Sequence, residues 1–141
     1  MNTLKWSEDY RVGIPAIDNE HRLLISLLND LSRVIETHKD FQAQIIGDSL
    51  NTLKNCIRSH FDSEEKFLLG NGYPDYEDHK TEHVQLLKRL EHFEKRFKEE
   101  TPLFTEKMLL FLTDWLIRHI ILHDCKYGRY FRDNGLTEHF G

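Results

Sequence analysis

Four segments of the chain carry apolar residues at every third or fourth position, and histidine interrupts each of the four apolar stripes. This period places the apolar residues on one helical face, so the sequence predicts four amphipathic helices. We expect them at residues 18–38, 40–69, 75–99 and 104–128. Asp18 is the expected N-cap of the first helix, Gly70-Asn71-Gly72 ends the second, and Thr101-Pro102 or Thr105 opens the fourth.

The connections between these segments are short, which favours antiparallel neighbours and an up-down-up-down topology. At 141 residues the chain has the size of one domain. We therefore predict an all-α fold, a four-helix bundle that forms a single domain over residues 1–141. The N-terminal arm and the short C-terminal extension lack periodicity, but their aromatic residues lead us to expect that both pack on the bundle. These residues are Trp6, Tyr10, Tyr127, Tyr130 and Phe131.

Five of the nine histidines occupy positions where an apolar stripe would otherwise carry leucine or isoleucine. They are His21, His60, His79, His83 and His119. A lone inward histidine is more often a hydrogen-bonded core residue than a ligand. An unsatisfied buried polar group costs about 1–3 kcal/mol, however, so five in one small core require a shared partner. The sequence therefore predicts a metal site, whereas the remaining histidines are expected at the surface: His38, His92, His123 and His139.

Two carboxylates extend this set of ligands. Glu64 follows His60 by four residues, so both side chains project from one helix face. Asp124 follows His119 by five residues, which is about 140° around an ideal helix. For both to reach one site, the fourth helix needs a local π-type widening, or Asp124 must reach around it. The predicted ligands are therefore the five inward histidines, Glu64 and Asp124.

Seven ligands exceed the four of a tetrahedral zinc site, and five imidazoles are too many for calcium or magnesium, which prefer oxygen. Two carboxylates able to bridge favour a pair of first-row transition ions, and iron is the commonest occupant of such bundles. The ferritin-like di-iron signature contains two Glu-x-x-His motifs, and this sequence contains none. The carboxylate-rich oxidase and ferroxidase class is therefore disfavoured. A purely structural metal site is a further alternative.

Four segments that contain all seven positions resemble the hemerythrins. They are Ile17-Asp18-x-Glu20-His21, His60-Phe61-x-x-Glu64-Glu65, His79-x-x-x-His83 and Trp115-x-x-x-His119-Ile120-x-x-x-Asp124. Trp6 and Val12-Gly13-Ile14 resemble the N-terminal arm of the bacterial members. The resemblance runs from about Trp6 to Gly128 and leaves the tail, residues 129–141, outside the pattern.

The resemblance implies a non-haem di-iron centre, two iron ions with an oxo or hydroxo bridge, that binds dioxygen reversibly. Three histidines of the third and fourth helices would complete one saturated iron. The histidines of the first two helices would hold the other iron and leave one position open, while both carboxylates would bridge. By position, the saturated iron would be held by His79, His83 and His119, the open iron by His21 and His60, and the bridging carboxylates would be Glu64 and Asp124. The family also permits a monomer, which we expect here.

Imidazoles donate less charge than carboxylates, so such a set stabilises high-valent iron poorly, and a single open position disfavours oxygen–oxygen cleavage. Both features favour binding over activation. The ligand cavity should be apolar, because water and protons would promote autoxidation. Candidate lining residues are Leu24, Phe61, Trp115 and Ile117, for each of which ordinary core packing is an equal explanation.

The expected function is reversible dioxygen binding, as a carrier, store or supplier. The alternative is an oxygen or redox sensor that signals through a partner. Sensors of this kind usually carry the bundle within a longer chain, and no transducing domain or linker is visible in the sequence. An enzyme would need an acid–base residue beyond the seven ligands, and the inward stripes offer no obvious one, so we expect no catalysis.

Composition excludes other partners. The formal net charge of −5 offers no basic face for nucleic acid. The most apolar stretch, residues 108–122, is interrupted by Asp114, Arg118 and His119, so we expect no membrane span. No signal peptide is visible, and two cysteines without CxxC spacing indicate a reducing compartment. A cytoplasmic location is therefore expected.

Overall fold

The computed structural model describes residues 4–37, 43–100 and 105–135. Its helices are α1 (Pro15–Thr37), α2 (Ala43–Gly70), α3 (Tyr76–Glu100), α4 (Thr105–His119) and α5 (Cys125–Asp133). A π-helical segment, Ile120–Asp124, joins α4 to α5 without a break, because both of its flanking residues keep right-handed helical angles. The described ranges contain no strand.

The helices form a closed ring of four, in which α1 contacts α2, α2 contacts α3, α3 contacts α4, and α4 contacts α1. Short connections force each helix to run opposite to its predecessor. The start of α1 and of α3 therefore lies at the same end of the bundle as the end of α2 and of α4. The prediction of an all-α, up-down-up-down four-helix bundle is confirmed.

Helix α1 begins at Pro15, three residues before the predicted start, because proline suits the first helical position. Asp18 is therefore not the N-cap. Its carboxylate accepts hydrogen bonds from the backbone N–H of Val12 at 2.8 Å and of Gly13 at 3.2 Å, which fixes the arm to the first turn. The last helix continues past Gly128 to Asp133. Predicted helix ends at residues 38, 40 and 104 lie outside the described residues, as do Thr101-Pro102, His38, His139 and residues 136–141.

The N-terminal arm and α5 pack on the bundle, as predicted. Asn29 of α1 binds both backbone polar groups of Leu4, at 2.8 and 2.9 Å. Tyr127 and Phe131 of α5 are completely buried. Gly128 lies directly against the arm, and a Cβ atom at this position would come within 2.3 Å of the carbonyl oxygen of Val12. Arm, α1 and α5 are therefore one packed unit.

The core divides along the bundle axis into an apolar part and a polar part. Leucine, isoleucine and methionine side chains fill the end that contains Leu31, Leu50, Leu90 and Met108. The opposite end holds buried histidines and carboxylates. No helix within the described ranges is long and apolar enough to cross a bilayer.

Candidate metal centre

All seven predicted ligand side chains meet at the polar end of the core, and none is more than 4% exposed. The N-terminal halves of α1 and α3 and the C-terminal halves of α2 and α4 supply the histidines, because alternating helix directions bring these halves together. Glu64 lies one turn after His60 on α2, and Asp124 ends the π-helical segment. The set is His21, His60, Glu64, His79, His83, His119 and Asp124.

The π-helical segment turns Asp124 toward the same interior as His119. In a π turn the N–H of one residue bonds the carbonyl five residues before it, so each turn holds more residues than an α turn. The N–H of Cys125 accordingly donates to the carbonyl of Ile120. This extra residue removes most of the angular difference between positions five apart. Of the two alternatives that the spacing of His119 and Asp124 left open, the structure shows the π-type widening.

The seven side chains form two overlapping groups that share both carboxylates. The three-histidine group comprises Glu64, His79, His83, His119 and Asp124. The two-histidine group comprises His21, His60, Glu64 and Asp124. Within each group, one ligand atom per residue lies within 4.8 Å of every other. The arrangement therefore offers two adjacent positions with unequal numbers of imidazoles.

Each carboxylate presents one oxygen to each group. Glu64 Oε1 lies 2.6 Å from His79 Nε2 and 3.0 Å from His83 Nε2, while Glu64 Oε2 lies 3.2 Å from His60 Nε2. Asp124 Oδ1 lies 3.2 Å from His119 Nε2, while Asp124 Oδ2 lies 2.9 Å from His21 Nε2. Such a division of oxygens suits a carboxylate that spans two cations.

Hydrogen bonding does not account for this crowding of donors and acceptors. Neither oxygen of Asp124 has a hydrogen-bond partner of suitable geometry among the described residues, although imidazole nitrogens lie about 3 Å away. The Nε2 atoms of His21 and His60 also face each other at 3.1 Å, as do those of His83 and His119 at 3.2 Å. Ligands bound at about 2.1 Å and at right angles around one ion lie about 3 Å apart. The residues therefore fit a pair of metal ions.

Carboxylates outside the seven orient two of the imidazoles. Glu20 Oε1 accepts from Nδ1 of His60 at 2.6 Å, and Glu65 Oε2 accepts from Nδ1 of His83 at 2.9 Å. Ser63 donates to Glu20 as well. A proton held at Nδ1 leaves the Nε2 lone pair of a neutral ring directed at the centre, which is the state a metal ion requires.

The two shared carboxylates dominate the electrostatics of the metal-free chain. Burial by itself would lower the pKa of His60 and of His79, but the adjacent carboxylates outweigh it and raise each pKa to about 10. Burial would raise the pKa of Glu64 and of Asp124, but the surrounding histidines hold both pKa values well below the usual range. Two buried anions therefore require positive charge, from protons or from metal ions.

The predicted pocket residues lie in three different environments. Leu24 and Trp115 line a narrow apolar cavity between α1, α2 and α4, which does not admit a water-sized sphere. Phe61 is outside this cavity and stacks on the ring of His83, with centroids 3.7 Å apart and planes inclined by 7°. Trp115 stacks on His119. Ile117 is only partly buried and does not line the cavity.

Tyr127 is the residue near the centre that sequence reasoning assigned only to packing. It is completely buried, and its hydroxyl donates to Glu64 Oε2 at 2.9 Å, on the side of the two-histidine group. Burial and the charge of Glu64 raise the pKa of the phenol, which therefore keeps its proton. The sequence did contain a signal for this role, because Tyr127 follows Asp124 by three residues and so lies on the same helical face. A spare proton-bearing group thus exists where none was expected.

Comparisons with known proteins agree with this architecture. Residues 12–127 match the family described as "Hemerythrin HHE cation binding domain". The bacteriohemerythrin of Clostridium acetobutylicum is 32% identical over 125 residues, which cover 86% of this chain and 96% of that protein. The myohemerythrin of Theromyzon tessulatum is 26% identical over 123 residues, 87% and 89% of the two chains. A crystal structure of wild-type hemerythrin matches with a TM-score of 0.81 and 26% identity, covering 91% and 97%.

Proposed function

The chain belongs to the hemerythrin family, and on that premise we propose that it binds dioxygen reversibly at two iron ions held by the seven buried side chains. The observation that carries the proposal is the unequal division of ligands. The three-histidine group offers five donors and the two-histidine group offers four, with Glu64 and Asp124 counted in both. The ion held by the two-histidine group would therefore have one protein ligand fewer than the other, which leaves room for dioxygen on that side.

Each part of the chain near the centre has a defined task under this proposal. The iron pair, when bound, supplies two electrons that dioxygen can take up and return. Glu64 and Asp124 hold the two positions at a fixed separation, because each presents one oxygen to each group. Glu20 and Glu65 keep two imidazoles in the ligating tautomer. Imidazole-rich ligation favours binding over oxygen activation.

Apolar and aromatic side chains would protect the centre from water. Leu24 and Trp115 line the narrow apolar cavity, Phe61 covers one face of His83, and the ring of Trp115 lies nearly parallel to that of His119. Exclusion of water and protons slows the irreversible oxidation of a ferrous pair. Tyr127 is the proton-bearing exception, and its hydrogen bond to Glu64 holds its hydroxyl against a bridging carboxylate.

The proposal is tested by counting iron and following a reversible optical titration. We expect two irons per chain, and an absorption band that appears when dioxygen is added to the reduced protein and disappears under argon. His92, which is exposed and remote from the ligand groups, provides the control variant His92→Ala, with unchanged iron content and spectrum. His60→Ala should lose the reversible band, because it removes an imidazole from the two-histidine group.

Two results would contradict the proposal. One zinc ion or no metal would mean that the histidine cluster serves another purpose. Two irons that oxidise once and do not return to the reduced state under argon would favour the alternative functions, a sensor or an enzyme. Carrier, store and supplier are distinguished from one another only by oxygen affinity and release rate, which the same titration measures.

A further inference from the structure

The seven ligands are sealed from solvent, since none is more than 4% exposed, so a metal ion must reach them past other side chains. Two approaches are closed by short hydrogen bonds. Glu20 covers the outward nitrogen of His60 at 2.6 Å, and Glu65 covers that of His83 at 2.9 Å. An entering ion would therefore need metal-binding side chains near the centre whose ligand atoms are not already hydrogen-bonded.

One further group of metal-binding side chains occurs among the described residues, and it shares a member with the centre. It comprises Glu82 of α3, His119 of α4 and His123 of the π-helical segment, with one ligand atom of each within 4.8 Å of the others. The side chain of Glu82 is 30% exposed and that of His123 is 39% exposed, whereas His119 is buried. The group therefore extends from the surface to the centre.

One ring nitrogen of His119 has no hydrogen-bond partner among the described residues. Its Nε2 faces Asp124 and His83 inside the centre, whereas its Nδ1 is buried and has no hydrogen-bond partner in the part of the chain that the structure describes. Glu82 contacts His123 instead, at 3.5 Å, which is longer than the bonds that close the other two approaches. His21 Nδ1 is also unpartnered, but none of the metal-binding groups among the described residues extends from it to the surface.

We propose that Glu82, His123 and the Nδ1 atom of His119 form an uptake site that captures a divalent first-row transition ion on its way to the buried centre. Two imidazoles and one carboxylate form a ligand set suited to such ions. Partial exposure lets the ion exchange its water, and the shared His119 places the uptake site directly against the three-histidine group. The inference rests on the proposed function only in requiring that the centre hold metal.

The experiment measures the rate at which the iron-free full chain takes up Co²⁺ without air, followed by the visible absorption of bound cobalt. Loss of one supporting residue typically weakens metal binding 10–100-fold, so uptake at low cobalt should slow by about tenfold or more in Glu82→Gln and in His123→Gln. The final content should remain two cobalt ions per chain. Glu82→Asp, which keeps the carboxylate, should restore most of the rate.

Glu91→Gln is the matched control, because this substitution removes the same charge from the same helix. Glu91 itself pairs with Arg58 at the surface. Equal rates in all variants would overturn the uptake site, and so would an equal slowing by Glu91→Gln, since that would indicate a general charge effect. Circular dichroism confirms that each variant is helical. The endpoint answers a separate question: fewer than two cobalt ions in the unmodified chain would contradict the proposed centre and not the uptake route.

Discussion

Tyr127→Phe should destabilise the iron-free chain by removing one hydrogen bond while the aromatic ring stays in place. The hydroxyl is completely buried and donates to Glu64 Oε2 at 2.9 Å, and the ring packs against His79 and Tyr73. A hydrogen bond to a charged group contributes about 1.5–3 kcal/mol, and no water can replace it at this depth. For a domain of this size, that loss lowers the melting temperature by about 5–10 °C.

The assay is thermal unfolding of the iron-free protein, followed by circular dichroism. Tyr130→Phe is the control, because Tyr130 lies on the same helix but is only partly buried, and its change should stay within about 0.5 kcal/mol. Iron release to a chelator supplies a second measurement, since a less restrained Glu64 should release both ions faster. Equal melting temperatures for Tyr127→Phe and the unmodified chain would refute the view that the hydroxyl positions Glu64.

Three further predictions concern ligation and packing. His60→Ala should retain about one iron per chain, because the three-histidine group is intact; two retained equivalents in metal analysis would contradict the grouping. Glu64→Ala should lose iron from both positions, since Glu64 presents an oxygen to each; full occupancy would argue against bridging. Gly128→Ala should lower stability by about 1–3 kcal/mol, because its Cβ would meet the backbone of Val12 at 2.3 Å. Gly47→Ala, with only an ordinary contact at 3.9 Å, should be neutral or stabilising in the same denaturant titration.

The sequence was sufficient to predict the bundle because its signals are local. Apolar periodicity identifies each helix, and the short connections permit only antiparallel neighbours. The helix ends were less accessible. Asp18 is a common N-cap residue type, yet the structure uses its carboxylate to hold Val12 and Gly13 of the arm. The continuation of α5 to Asp133 follows from the burial of Phe131 against the bundle, a tertiary contact that periodicity does not reveal.

The cluster of seven side chains could be predicted for a different reason, namely that buried histidines in an apolar stripe are costly unless they share a partner. The five-residue spacing of His119 and Asp124 indicated either a π-type widening or a side chain that reaches around the helix, and the structure has the widening. Contacts between distant segments could not be read in this way. Glu20 and His60 are far apart in the chain, as are Tyr127 and Glu64, and only the packing of the helices brings each pair together.

The same packing makes the N-terminal arm a part of the centre, although it contributes none of the seven side chains. Asp18, three residues before His21, accepts a hydrogen bond from Val12 of the arm. The arm in turn lies against Gly128, which follows Tyr127 in the chain. This chain of contacts fixes the start of α1 relative to α5, and hence His21, in the second turn, relative to the shared carboxylates. A change in the arm should therefore reach the two-histidine group first. We expect Gly128→Ala to speed iron release as well as to lower stability, and a loss of stability with unchanged release would show that the arm only packs.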